Sequence, residues 1–108
     1  IRESTTDLPN VTVDVFDGLL ADYTKAIGAG AIVKGLRAMS DFEYEFQMAL
    51  TNRKLNPNTE TVFFTTKAEY MYLSSSMVKQ VGSFGGDISD FVPESIHQKV
   101  IERLERKL

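Results

Sequence analysis

Two short runs of strand-forming residues flank one long segment of helical periodicity, and this order restricts the fold more than any other feature of the sequence. Residues 31–33 are all apolar, and residues 61–65 are β-branched and aromatic, as strands often are. Between them, residues 40–55 have helical spacing and open on a capping box of Ser40 and Glu43. Because parallel strands need a long crossover connection, this order predicts an α/β fold with a doubly wound, Rossmann-like parallel sheet.

The other segments predict one more strand and three more helices. Valine alternates with polar residues over positions 11–15, at the period of a strand. Helical spacing covers residues 19–27, which Gly28 would stop, then residues 74–81 and a last segment that begins near Pro93. The last segment carries apolar residues at every fourth position: Ile96, Val100, Leu104 and Leu108. The expected total is three parallel strands and four helices.

A parallel sheet of three strands is small, and both of its faces need helices. We therefore expect residues 1–108 to form a single domain from which the first strand–helix–strand portion is absent, because that portion would precede Ile1. Open α/β sheets bind ligands beyond the carboxyl ends of their strands. The segments after residues 16, 33 and 65 are thus the expected places for a site.

The composition favours a soluble globular chain and argues against several classes of function. The chain has 108 residues, 43% of them hydrophobic, and no apolar run approaches the roughly 20 residues of a membrane span. With 12 Lys and Arg against 15 Asp and Glu, the net charge of −3 argues against general nucleic-acid binding, which relies on clustered cations. Cysteine is absent, which removes disulfide and thiolate chemistry. The single histidine, His97, falls within an amphipathic helix, so we expect a surface or interface role for it and not catalysis.

Two cations surround a glycine where the second predicted strand ends. Lys34, Gly35 and Arg37 would suit a phosphate group, since glycine admits a close backbone approach, lysine supplies a point charge and arginine a two-pronged donor. The same residues are equally consistent with a solvated loop that carries two surface charges. Glu45 flanks the buried face of the next helix, where its carboxylate would receive a ribose hydroxyl or an amine. Alternatively, Asp41, Glu43 and Glu45 simply favour the positive end of that helix.

Three consecutive serines begin the predicted helix that follows the third strand. Ser74, Ser75 and Ser76 put hydroxyls and unpaired backbone N–H groups at the positive end of the helix dipole, which favours an anion. An ordinary serine N-cap is the alternative, and the number of hydroxyls favours anion binding. Tyr70 and Tyr72 precede the serines and would stack on a base, unless they belong to the core.

Four groups of residues together resemble one enzyme family. They are Gly18-Leu19-Leu20, Lys34-Gly35-Leu36-Arg37 with Ser40-Asp41-Phe42-Glu43-Tyr44-Glu45, Leu73-Ser74-Ser75-Ser76, and Asp90-Phe91-Val92-Pro93. In order and spacing, across nearly all of the chain, they resemble bacterial phosphopantetheine adenylyltransferases of the nucleotidyltransferase superfamily. The resemblance implies transfer of AMP from ATP to 4′-phosphopantetheine, with Mg²⁺, giving dephospho-coenzyme A and pyrophosphate. It also implies a cytoplasmic homohexamer that binds coenzyme A product-type ligands.

The resemblance assigns roles to individual residues. Lys34 would contact the phosphate of phosphopantetheine, and the backbone of Leu20 would contact its pantetheine arm. The family often has Arg where this chain has Lys34, and Lys79 stands where a related signature has Arg. The ATP site would be formed by Gly35, Leu36, Arg37, Glu45, Tyr70, Met71, Tyr72, Leu73, Ser74, Ser75 and Ser76, with the serine helix holding the phosphates.

The resemblance also implies what the chain does not contain. The family's Thr-x-Gly-His motif, whose His stabilises the transferring phosphoryl group, and a substrate-binding Lys would both precede Ile1. No catalytic residue is therefore expected within these residues, and the chain tested alone is expected to be inactive. Two alternatives stay open: a noncatalytic fragment that retains nucleotide binding or oligomer contacts, and a related nucleotidyltransferase with another acceptor, such as nicotinamide mononucleotide.

Overall fold

The computed structural model describes residues 1–105, and the side chains of Met39 and Ser40 lie outside that description. Leu108, expected on the last helix, lies outside the described residues. The chain forms two compact units, one of residues 15–71 and another of residues 1–14 together with the chain from residue 72. The single domain expected over residues 1–108 stays a prediction.

The unit of residues 15–71 is an α/β arrangement. Its elements are α1 (Leu20–Ile27), β1 (Ala31–Leu36), α2 (Met39–Leu55), β2 (Glu60–Thr65) and a short 3₁₀ helix (Ala68–Tyr70). The two strands pair in parallel, with α2 as the crossover between them. The predicted α/β class with a parallel sheet is confirmed.

Strand alternation gives this sheet one covered and one exposed face. β1 and β2 align so that Lys34 lies opposite Phe63. The helix α2 covers the face that carries Phe63, whose ring meets the ring of Phe42 edge-on at 6.2 Å between centroids. On the other face, Val33 is 65% exposed and Phe64 is 62% exposed. The polar side chain of Lys34 is therefore on the same face of the sheet as α2.

The helix ends follow local chemistry, with one correction to the sequence analysis. Helix α1 stops at Gly28, as predicted, and its φ of 67° lies in the left-handed region that glycine adopts readily. Helix α2 takes Ala38 as its N-cap, so the capping box predicted at Ser40 and Glu43 is wrong. Ala38 is extended, and its carbonyl accepts the Phe42 N–H at 3.2 Å, which starts the first turn two residues before Ser40.

Residues 11–15 do not form a strand, so the prediction of three strands is wrong for residues 1–105, where two are present. The Val11 N–H donates instead to the Leu8 carbonyl at 3.2 Å, within a turn. A strand is held by hydrogen bonds to a neighbouring strand, and β1 and β2 pair with each other. Alternating valines have a high strand propensity, but propensity alone does not form a strand without hydrogen bonds to a second strand.

The other unit is helical. It contains a 3₁₀ helix (Arg2–Thr5), α3 (Ser75–Ser83) and α4 (Glu94–Glu105). Gly82 allows α3 and α4 to approach closely, because a Cβ at that position would overlap a methyl carbon of Leu104. Leu104 is buried there, as is Ile88 from the connection between the two helices.

The four predicted helices are confirmed within the described residues, and α4 begins directly after Pro93, as predicted. Proline suits this place because its fixed φ is compatible with a helix start. Among residues 1–105, no helix combines the length and the apolar composition needed to cross a membrane.

A buried amide ties together the unit of residues 15–71. The side-chain NH₂ group of Asn56 donates to Thr24 Oγ1 at 3.0 Å and to Thr59 Oγ1 at 2.8 Å. Thr59 in turn donates to the carbonyl of Ala29 at 2.7 Å, and Thr24 donates to that of Ala21 at 2.8 Å. The three side-chain partners are at most 4% exposed. Because buried polar groups need such partners, the network links α1, the end of α2 and the starts of both strands.

Replacing Asn56 with alanine is expected to lower the free energy of unfolding by about 2–3 kcal/mol, because two buried hydroxyls lose their donor. Urea denaturation followed by circular dichroism measures this loss. Asn58→Ala is the matched control, since Asn58 is exposed and its side chain makes no hydrogen bond within residues 1–105. Equal losses in the two variants would contradict a special role for Asn56.

In the helical unit, a carboxylate of the 3₁₀ helix is held by a cation of α4. Lys99 Nζ donates to a carboxylate oxygen of Glu3 in a close ion pair. The hydrogen bond from Lys99, and then its charge, lower the pKa of Glu3 below its usual 4.5. Because the pKa is lowered in the folded state, the stabilisation is present above the usual pKa and is lost as the pH falls through the lowered value.

Glu3→Gln is therefore expected to lower the Tm at neutral pH, and its Tm should converge with that of the unmodified protein as the pH falls below 4.5. Thermal unfolding at a series of pH values measures this convergence. Glu69→Gln is the control, since Glu69 is exposed and has no ion pair within the described residues. A Tm difference for Glu3→Gln that stays constant into the acid range would be inconsistent with the ion pair.

Candidate functional site

A cavity of about 470 Å³ lies where β1 and β2 end, within the unit of residues 15–71. Parallel sheets bind ligands at this edge, and the volume is in the range of small-molecule sites. The walls are mainly apolar and come from both strand ends, the start of α2 and the segment after the 3₁₀ helix. They are Leu36, Arg37, Ala38, Phe42, Phe63, Thr65, Thr66 and Met71.

Three residues predicted for the ATP site line this cavity: Leu36, Arg37 and Met71. Gly35 lies one residue before the cavity wall, and a Cβ there would meet no described atom within 4 Å, so packing among the described residues does not require glycine at this position. Tyr70 is 45% exposed, which does not fit the alternative of a core residue. Leu20 begins α1 and does not line the cavity.

Lys34 and Glu45, which the resemblance assigns to two different substrates, form an ion pair. Lys34 Nζ lies 3.5 Å from Glu45 Oε2, and the side chains are 37% and 24% exposed. The pairing follows from the topology, since Lys34 lies on the face of β1 that α2 covers and Glu45 lies in the second turn of α2. Partial burial strengthens such a pair relative to a fully exposed one.

A second ion pair lies one turn earlier on α2. Arg37 Nε is 3.2 Å from Asp41 Oδ2. Because Asp41 and Glu45 are four residues apart, they lie on one side of the helix. The two cations at the end of β1 therefore meet two carboxylates, and the formal charges of these four side chains sum to zero. Both carboxylates contact side-chain cations, which goes beyond the alternative of an interaction with the helix dipole alone.

The serine run lies in the helical unit, where only its first member forms the predicted cap. Ser74 Oγ accepts the Met77 N–H at 3.1 Å. This is an ordinary serine N-cap, the alternative to anion binding at this position. Ser75 and Ser76 follow in the first turn of α3 and are exposed. Tyr72 is 55% exposed and its ring meets that of Phe91 edge-on. Leu73 is half-buried. The exposed groups of the predicted segment from Tyr72 to Ser76 are therefore the ring of Tyr72 and the hydroxyls of Ser75 and Ser76.

His97 is less exposed than the sequence analysis expected. It is half-buried, and its Nε2 is buried with no hydrogen-bond partner within residues 1–105. The nearby Asp87 accepts the Ser89 N–H at 2.9 Å. That hydrogen bond holds the pKa of Asp87 below its usual range, with a smaller contribution from the charge of His97. The surface or interface role expected of His97 stays a prediction.

Several cavity residues were not predicted individually. Phe63 and Thr65 belong to β2, Thr66 follows it, and Ala38 and Phe42 begin α2. The sequence did indicate the segment after residue 65 as a place for a site. The sequence did not indicate which side chains of this segment line the cavity, because the strand register and the start of α2 depend on contacts between distant residues.

The described side chains of residues 1–105 do not form a metal-binding cluster. Within residues 1–105, no three His, Asp or Glu side chains converge as ligands. The carboxylates of Asp41 and Glu45 are each paired with a cation.

Comparison with known proteins identifies the family. Residues 1–81 match the family model described as cytidylyltransferase-like. The phosphopantetheine adenylyltransferase of Caldanaerobacter subterraneus subsp. tengcongensis is 55% identical over 106 residues, or 98% of this chain and 66% of the relative. That of Dictyoglomus turgidum is 52% identical over 107 residues, or 99% and 67%. That of Lachnoclostridium phytofermentans is 55% identical over 101 residues, or 94% and 62%.

The chain therefore belongs to the cytidylyltransferase-like family of the nucleotidyltransferase superfamily, in agreement with its parallel α/β arrangement. Its relatives place it among the phosphopantetheine adenylyltransferases, which confirms the resemblance found in the sequence. The chain spans 62–67% of the length of these relatives.

Ser74→Ala is expected to lower the free energy of unfolding by about 1 kcal/mol, because the Met77 N–H loses its cap. Ser76→Ala removes a hydroxyl from the same turn without removing the cap and should leave stability nearly unchanged. Chemical denaturation of the two variants measures the difference. Equal losses would contradict the assignment of the cap to Ser74.

Proposed function

We propose that the protein transfers AMP from ATP to 4′-phosphopantetheine, giving dephospho-coenzyme A and pyrophosphate. The observation that carries the proposal is the cavity at the carboxyl ends of β1 and β2, with Arg37 in its wall. This cavity belongs to a chain that is 55% identical to phosphopantetheine adenylyltransferases over most of its length.

The acceptor contacts are assigned to the end of β1 and the start of α1. Lys34 supplies a positive charge for the phosphate of phosphopantetheine, and the backbone at Leu20 contacts the pantetheine arm. Support for Lys34 comes from its place on β1, close to the edge where the cavity opens. An ammonium on a flexible stem can follow a phosphate group over a short distance, which suits a substrate that must approach a second one.

The nucleotide contacts are assigned to the cavity wall and to the start of α3. The apolar walls suit a base, and Arg37 offers N–H donors to phosphate oxygens. The exposed hydroxyls of Ser75 and Ser76, together with the first backbone N–H groups of α3, offer donors for the ATP phosphates. The remaining contacts are proposed for Gly35, Leu36, Glu45, Tyr70, Met71, Tyr72, Leu73 and Ser74.

In the proposed reaction, a phosphate oxygen of phosphopantetheine attacks the α-phosphorus of ATP. A new P–O bond forms there as the bond to the pyrophosphate leaving group breaks. Such transfers depend on positioning and charge stabilisation more than on covalent chemistry by the protein. Lys34 would hold the attacking group and Arg37 the nucleotide, and the family resemblance implies a phosphate contact for the serine helix as well. Mg²⁺, bound with ATP, would neutralise charge on the phosphates.

The assembly and location are also proposals. A homohexamer in the cytoplasm that binds coenzyme A product-type ligands agrees with the family. Exposed aromatic and aliphatic side chains on α2, such as Tyr44 at 64% and Leu50 at 54%, are available for contacts between copies. Of the alternatives, a transferase with another acceptor is not favoured, because the relatives compared are phosphopantetheine adenylyltransferases.

Lys34→Gln is the direct test of the acceptor assignment. In an assay of pyrophosphate release by the protein as its gene encodes it, this variant should raise the KM for phosphopantetheine about tenfold or more, because a charged contact to phosphate is lost. The KM for ATP should change much less.

Lys25→Gln is the matched control, since Lys25 is exposed on α1 and has no ion pair within the described residues. It should leave both KM values unchanged. Absence of turnover with phosphopantetheine in the unmodified protein would refute the proposed function, and an equal rise of both KM values in Lys34→Gln would refute the assignment of Lys34.

A further inference from the structure

We infer that Glu45 competes with phosphate ligands for Lys34, so that a ligand needs further contacts with the site to displace the carboxylate. This inference rests on the proposed function, because it takes Lys34 as the phosphate-binding residue. It gives Glu45 a role in selectivity toward the acceptor, in addition to the nucleotide contact that the family implies.

The geometry places both partners of the pair on rigid elements. Lys34 extends from β1 and Glu45 from α2, and Nζ lies 3.5 Å from Oε2. A phosphate oxygen in contact with Nζ would lie within a few ångströms of the same carboxylate. Two negative groups at that separation repel each other, and partial burial reduces the screening by water. Phosphate and Glu45 therefore cannot both interact fully with Lys34.

The neighbouring charges do not relieve this competition. Arg37, the next cation along the chain, pairs with Asp41 at 3.2 Å. The two cations and two carboxylates give a cluster with no net formal charge. Sites that bind small anions through charge alone present an excess of positive potential, which this cluster does not provide. A phosphate ion therefore gains less binding free energy here than it would from Lys34 and Arg37 without the carboxylates of Glu45 and Asp41.

The consequence is discrimination among phosphate compounds. Inorganic phosphate has only its oxygen atoms with which to displace Glu45. A phosphate monoester with a long arm makes additional contacts, whose binding free energy offsets the loss of the ion pair. Glu45 thus disfavours the wrong ligand, which is the repulsive element that specific sites often contain.

The test is titration of the protein with inorganic phosphate, followed through the backbone amide NMR shifts of Gly35 and Leu36. Glu45→Gln removes the competing charge and is expected to lower the apparent Kd about 3- to 5-fold, which is the upper part of the range for one partly exposed ion pair. Glu43→Gln makes the same change of net charge on α2, and Glu43 has no ion pair within residues 1–105. It should change the apparent Kd less than about twofold, as expected for an exposed charge that solvent and salt screen.

A double variant shows whether the effect acts through Lys34. In Lys34→Gln, adding Glu45→Gln should give no further gain in phosphate affinity, because the competed cation is already gone. The amide shifts of Ser75 and Ser76 report on the other expected phosphate-binding segment. Their apparent Kd should be the same with and without Glu45→Gln.

Three results would overturn the inference: equal gains in Glu45→Gln and Glu43→Gln, weaker phosphate binding in Glu45→Gln, or no saturable phosphate response in Glu45→Gln. Weaker binding would show that Glu45 positions Lys34 instead of competing for it. Failure of the proposed function is a separate result, seen as absence of turnover with phosphopantetheine in the unmodified protein, and an unchanged KM for phosphopantetheine in Lys34→Gln would refute only the assignment of Lys34.

Discussion

The hydrogen bonds of the buried Asn56 side chain set the positions of the two strands on which the cavity depends. Through Thr59 the amide holds the start of β2 against the carbonyl of Ala29, just before β1. The first bond between the strands, from the Glu60 N–H to the Gly30 carbonyl at 3.2 Å, forms directly beside this contact. Six aligned pairs follow along β1 and β2. Both strands consequently end at one level, and the cavity opens at that edge.

The same topology creates the charge pattern beside the cavity. After β1 the chain must return across the sheet as α2, and this path carries Asp41 and Glu45 past the two cations at the strand end. A half-buried lysine without a partner would be unfavourable, because partial burial removes water from its charge. The ion pair with Glu45 therefore stabilises the folded protein. On our inference, the same ion pair also weakens phosphate binding to Lys34. Stability favours contact of Lys34 with Glu45, whereas ligand binding favours contact of Lys34 with phosphate.

The sequence predicted those parts of the fold that local chemistry decides. Gly28 marks the end of α1, and the strand–helix–strand order predicts parallel pairing, because both signals lie within a few residues or one crossover. The failures depend on distant contacts. Residues 11–15 have the alternation of a strand, but no strand forms there among residues 1–105. Helix α2 begins at a cap that the spacing of Ser40 and Glu43 does not predict.

The position of the candidate site could be predicted from the sequence, but the contacts between its side chains could not. The edge of the sheet and Arg37 could be located to within a few residues, although β1 continues to Leu36, three residues beyond the end predicted at residue 33. Leu36 was expected from the family resemblance. Their charges could not be paired, because the contact of Lys34 with Glu45 depends on how α2 lies on the sheet. That contact bears on the choice of lysine at a position where the family often has arginine. A guanidinium presents a fork of donors that can hold a carboxylate along one edge and a phosphate along another, whereas an ammonium has one centre of charge for both. Competition between Glu45 and phosphate is therefore steeper with lysine, and selectivity that rests on this carboxylate should be strongest in chains that carry lysine there.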